Sequence, residues 1–183
     1  MKYKSFFLLT SFLLTLSCNM GGVKTVKDPN KRFSVDAPFD MIRADDLNDD
    51  ASLQLKNELT ELYLIVIEDD KDEVNEIMRE EEEETGYTPD LEGYANLLID
   101  DWDETLEEVK VLVKRKTTIN GMPALERKMS AKVYDLNFVI YYHQVFVEGK
   151  NDYYQILAWT LDDQKEKFLE SIEKMVNSFK ELD

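Results

Sequence analysis

The chain has 183 residues and a formal net charge of −17, from 39 acidic and 22 basic side chains, with one histidine and one cysteine. That charge opposes nucleic acid as a partner. The lone cysteine excludes an intramolecular disulfide, so any domain here is held together by burial.

Met1-Lys2-Tyr3-Lys4 makes a short positive start, and residues 5–16 (SFFLLTSFLLTL) follow without a charge. This stretch of 12 residues falls short of the about 20 that a membrane-spanning helix needs, so it reads as a cleaved secretory signal. Leu14-Thr15-Leu16-Ser17-Cys18 resembles a bacterial lipobox, with Thr15 standing where an aliphatic residue is usual. Cleavage after Ser17 leaves Cys18 as the first residue and the acceptor of fatty acyl chains such as palmitate. Each buried acyl methylene contributes about 0.8 kcal/mol and a single chain holds only marginally, so multiple acylation is what makes such an anchor stable. Removing residues 1–17 takes away Lys2 and Lys4 and no acid, which moves the net charge from −17 to −19. Residues 18–31 hold two glycines, a proline and no apolar period, and read as the acylated cysteine followed by a flexible tether. No acid closely follows Cys18, which points to the periplasmic face of an outer membrane.

The domain then spans 32–183. Alternation in 32–36 and the run Phe39-Asp40-Met41-Ile42 predict two short strands around Ala37-Pro38. Residues 44–51 (ADDLNDDA) form an acidic loop. Residues 53–57 alternate, and Leu62–Ile67 is apolar throughout, as suits a strand covered on both faces. A helix is predicted over 72–84. Its end, Glu80–Glu84, should fray, because acids oppose the macrodipole there and repel one another. Asp90 caps a second helix with Leu91, Tyr94, Leu98 and Trp102 on one face. Strands follow over 109–119, 123–133, 137–147 and 153–161, the first pair joined at Asn120-Gly121. Asp162 is expected to cap a last helix carrying Phe168, Ile172, Met175 and Phe179. Hairpin connections and apolar residues on both strand faces predict an α+β fold. Its form is an α/β/α sandwich with a mainly antiparallel central sheet and helices on both faces.

Phe33-Ser34-Val35-Asp36-Ala37-Pro38, the helical middle, Ile119-Asn120-Gly121-Met122-Pro123-Ala124, the paired aromatic strands and a terminal helix ending at Ser178-Phe179 together resemble the PsbP-like superfamily. That group includes the photosystem II extrinsic subunit P and DcrB-type bacterial lipoproteins. The resemblance covers about residues 30–182. It implies a binding or assembly protein and no enzyme, and it carries over no partner-binding residue.

The residues themselves offer little chemistry. His143, in Tyr141-Tyr142-His143-Gln144, has no partner set for a hydrolytic triad and reads as a packed sheet residue. Ser171-Ile172-Glu173-Lys174 matches S-x-x-K, but no S-D-N or K-T-G accompanies it. Asp46, Asn48 and Asp50 copy the first half of a calcium loop, whose later positions fail at Ala51 and Asn57. A looser calcium site on Asp45, Asp46, Asp49 and Asp50 stays open as an alternative. Tyr141, Tyr142, Tyr153, Tyr154 and Trp159 read as core, with a ligand groove as the other reading. No cofactor fingerprint occurs. The expectation is a lipoprotein anchored through Cys18, binding another envelope protein, with small-ligand or calcium binding as the alternative.

Overall fold

Apolar residues at both parities in 62–67 and 138–142 demand strands covered on two sides, and the architecture follows from that. A computed structural model describes residues 22–133 and 137–182. Its first half contains β1 (Val23–Lys27), β2 (Phe33–Pro38), β3 (Ile42–Arg43), β4 (Leu53–Asn57), β5 (Leu62–Asp70), α1 (Lys71–Thr85) and α2 (Leu91–Asp103). The second half contains β6 (Leu106–Ile119), β7 (Met122–Val133), β8 (Val139–Glu148), β9 (Asp152–Leu161), α3 (Lys165–Asn177) and β10 (Lys180–Glu181).

Seven strands form one antiparallel sheet in the order β3-β4-β5-β9-β8-β7-β6. The helices α1 and α2 carry the chain from β5 to the far edge, and the β6–β9 meander returns to pair with β5. The β6–β7 turn is tight because Asn120 (φ 48°) and Gly121 (φ 87°) both adopt left-handed backbone, matching the twist of the hairpin. The edge strand β6 shifts register twice, between Glu107 and Lys110 and between Val111 and Val113.

Parity divides the core. Leu62, Leu64, Val66, Tyr141, Val145, Tyr154 and Ile156 face α3, while Ile65, Tyr142, Phe146, Tyr153 and Leu157 point to the opposite side. There Tyr94 of α2 stacks on Tyr153 at 4.6 Å and meets the edge of Phe146 at 5.9 Å. A second sheet, β1-β2-β10, joins α3 on the first face. The rings of Phe33, Tyr154 and Phe179 tie it to the large sheet at centroid distances of 4.8–5.6 Å. The predicted α/β/α sandwich is the observed one, with the small sheet added.

Four local expectations are corrected. Val23–Lys27, read as tether, is β1, paired along its length with β2 and buried only at Val26. Phe39–Ile42 is mainly a turn, and its buried member is Met41 while Phe39 is 69% exposed. Helix α1 persists through all five glutamates to Thr85, because Asp70 caps its start and left-handed Gly86 donates its N–H to the Glu82 carbonyl. Asp162 heads a short 3-10 turn and α3 begins at Lys165 without a side-chain cap. Cys18, with the whole of residues 1–21, lies outside the described residues. Among those that are described, no helix is long and apolar enough to cross a membrane.

Candidate functional site

Between helix α3, β2 and the turn that joins β4 to β5 the surface leaves a gap. The gap is a groove of about 580 Å³, a volume in the range of small-molecule and side-chain sites. Its walls are Val23, Ala37 and Pro38 from the small sheet, Leu62 from β5, and Phe168 and Met175 from α3.

The rim is polar and already partnered. Asp36 accepts from Thr25 Oγ1 at 2.6 Å, and Asp40 accepts from Asn57 Nδ2 at 2.8 Å. Lys174 Nζ donates to Glu170 at 2.6 Å, and Lys167 Nζ sits 4.6 Å from the Phe168 ring centre. Ser171 and Lys174 thus share the groove, but the ammonium is committed to Glu170 and is not poised as a base for Ser171. The groove offers shape and apolar surface, with charge of both signs at its edge. That is the chemistry of binding.

A second cluster lies under the other half of α3. Glu126 and Lys128 of β7, His143 of β8 and Glu173 of α3 converge there. His143 is 1% exposed, and its Nε2 lies 2.9 Å from Glu126 Oε1, a short approach that is too poorly aligned to count as a hydrogen bond. Arg115 Nε donates to Glu126 Oε2 at 2.5 Å, and Lys128 Nζ donates to Glu173 at 2.6 Å. Burial, reinforced by Lys128, pulls the His143 imidazole down to about 4. Burial alone would raise the Glu126 carboxyl, but Arg115, His143 and Lys128 together hold it below its ordinary range. Tyr141 Oη and Thr160 Oγ1, neighbours across the β8–β9 ladder on this face, have no hydrogen-bond partner among the described residues. The cluster pins α3 to the sheet. A substrate could not reach His143 without displacing the helix.

The other predicted positions separate. Asp45, Asp46, Asp49 and Asp50 are all exposed. Asp46 chelates Lys56 Nζ through both oxygens, at 2.9 and 2.8 Å, which lowers its pKa. The loop is closed by buried Gln54, whose Oε1 accepts from Leu47 and Asn48 N–H and whose Nε2 donates to the Asn48 carbonyl. No cluster of three metal-binding side chains occurs among the described residues. Gln54 and Lys56 engage the polar groups of this loop, and Asp45, Asp46, Asp49 and Asp50 are not drawn together in this structure. Tyr141, Tyr142, Tyr153 and Tyr154 are buried core, and Trp159 stacks on Tyr63 at 5.1 Å. The groove itself draws on positions 23, 36–40, 60–62 and 167–175, which no spacing in the sequence connects.

No protein-family model matches the chain, and no curated protein matches it by sequence. Solved structures do. The cyanobacterial PsbP of Synechocystis sp. PCC 6803 aligns over 91% of this chain and 96% of its own, with a TM-score of 0.58 and 10% identity. This is a PsbP-like fold. The Saccharomyces cerevisiae Ran-binding protein Mog1p shares it over 89% of this chain and 97% of its own, with a TM-score of 0.56 and 12% identity. LpqN of Mycobacterium tuberculosis, described as involved in cell envelope biogenesis, covers 86% of this chain and 89% of its own at a TM-score of 0.50 and 12% identity. At such identities the PsbP-like likeness extends to the fold and stops there.

Proposed function

We propose that this protein is a non-catalytic binding module of the bacterial envelope, exported, acylated at Cys18 and facing the periplasm from the outer membrane. Its partner is another envelope protein, which inserts an apolar side chain or short segment between α3 and β2. The observation that carries the reading is the groove: about 580 Å³, apolar within, with both signs of charge on the rim and no activated nucleophile. The Ran-binding and envelope-biogenesis descriptions of two structural neighbours agree with a binding role. So does the seclusion of His143, the one histidine in the chain.

In-cell crosslinking of the full acylated chain, with mass spectrometry of what co-purifies, tests this. Ser171→Trp fills the groove and should abolish the dominant crosslink, while replacing Glu80–Glu84 with glutamine should leave it. The reverse pattern would move the interface to the acidic end of α1 and overturn the groove reading. Cys18→Ser should shift the protein from the membrane fraction to the soluble fraction, and persistence in the membrane refutes the acyl anchor.

A further inference from the structure

The described chain begins at Gly22, whose carbonyl accepts the Phe39 N–H at 2.7 Å. Around that point the surface differs from the rest of the molecule. Val23 is 61% exposed, Phe39 69% and Leu59 98%. They belong to one end: Val23 pairs with Pro38, and the turn bearing Leu59 is joined to the Phe39 turn by the Asn57 Nδ2 to Asp40 Oδ2 hydrogen bond. The Phe39 turn is held in place, since Lys24 Nζ donates to the Phe39 and Met41 carbonyls and lies 5.5 Å from the Phe39 ring centre, while Met41 is fully buried beneath it. A rigid turn that presents an aromatic ring outward is not a product of disorder.

The charged groups near this end are engaged within the protein. Lys24 spends its ammonium on the Phe39 and Met41 carbonyls, and Asp40 accepts from Asn57. The acids beside Leu59 are also engaged: Glu58 pairs with Lys56 at 2.8 Å, and Glu61 accepts from Tyr63 Oη at 2.6 Å.

Chain length selects the occupant. From Cys18 to Gly22 are four residue steps, and at about 3.3–3.6 Å each they reach no more than about 14 Å. With β1 starting at Val23, the tether is far shorter than residues 18–31 would allow. We infer that the Val23–Phe39–Leu59 end rests on the lipid bilayer, with Phe39 and Leu59 inserted among the head groups, so that the groove opens toward the membrane surface. This rests on acylation at Cys18, which the proposed function assumes. A patch of this kind on a tethered domain adds interfacial burial to the acyl anchor and fixes the orientation of the domain.

The test uses the full acylated protein in phosphatidylethanolamine–phosphatidylglycerol vesicles. Because Cys18 is the one native cysteine and its thiol is acylated, Phe39→Cys, Leu59→Cys and Leu112→Cys each offer a single free thiol for an environment-sensitive fluorophore. Leu112, on edge strand β6, is 44% exposed and serves as the water-facing control. The labels at 39 and 59 should brighten and be quenched by nitroxide lipids, as befits side chains about 5–10 Å into the interface, while the label at 112 should not. Protein that floats with the vesicles while all three labels behave alike overturns this inference and leaves the anchor intact. Protein that does not float overturns both. Labels at 39 and 59 that are shielded in native envelope membranes but not in pure lipid would assign the patch to a protein and refute the bilayer. Leu59 is almost wholly exposed, so its replacement cannot fail through misfolding.

Discussion

Lowering the pH should destabilise this protein through His143 before its carboxylates titrate. The imidazole is 1% exposed, faces Lys128 and Glu126 from β7 and Glu173 from α3, and has its pKa pulled down to about 4 by burial first and Lys128 second. In the unfolded chain a histidine titrates near 6.5. Between these values the unfolded state binds a proton that the folded state refuses, so unfolding free energy rises with pH across the window. The contribution is complete above about pH 6.5 and is lost as pH falls toward 4. At about 1.36 kcal/mol per unit, the fall from pH 7.5 to 4.5 should cost on the order of 2–3 kcal/mol. Glu126, whose pKa is lowered, acts in the same direction only below the ordinary carboxylate range, so the two windows separate. Urea denaturation of wild type and His143→Gln at half-unit intervals of pH measures this directly. The glutamine variant should be flatter by that amount between pH 6.5 and 4.5. Parallel curves would refute the burial argument and mean that the imidazole accepts its proton in place.

Three further outcomes follow from individual contacts. Gly93→Ala places a methyl group 1.8 Å from the Thr88 carbonyl oxygen, against backbone that the Asp90 cap holds in position; denaturant midpoints should show about 1–3 kcal/mol of destabilisation. Asp103→Ala strips the bidentate partner, at 2.9 and 2.6 Å, from Arg127, which is 3% exposed. The loss should be about 3 kcal/mol, the low end for a broken buried pair because Asp103 is itself partly solvated, and Arg127→Met combined with Asp103→Leu should recover most of it. Millimolar calcium should leave the melting temperature unchanged; a clear rise would mean that Asp46 gives up Lys56 to a cation.

The large sheet was legible because its signals are local. Asn120-Gly121 marks a hairpin by backbone conformation alone, the uniform apolarity of Leu62–Ile67 marks a central strand, and Phe168, Ile172 and Met175 mark the buried face of α3. What failed to show depends on distant partners. Val23–Lys27 buries only Val26, so β1 has no alternation to read and exists because β2 lies beside it. The two residues of β10 are shorter than any pattern. The Glu126–His143 approach arises from sheet register, and the groove gathers residues of β1, β2, β5 and α3 from distant parts of the chain; neither leaves a spacing in the sequence. Cross-strand burial also explains why His143 reads correctly as a packed residue while its carboxylate neighbour goes unnoticed.

Strand β2 is joined on one side to β1 and on the other to β10, and Leu182 N–H reaches the Arg32 carbonyl at 2.6 Å. The first and last segments of the domain thus complete one sheet, while β5 waits for β9 to complete the other. Until its final residues are available, the chain has no closed core to fall into, and such distant pairings form slowly. A polypeptide that must pass through a membrane pore unfolded gains from this order of events. Under the export proposed above, this topology would delay folding until the whole chain had reached the other side.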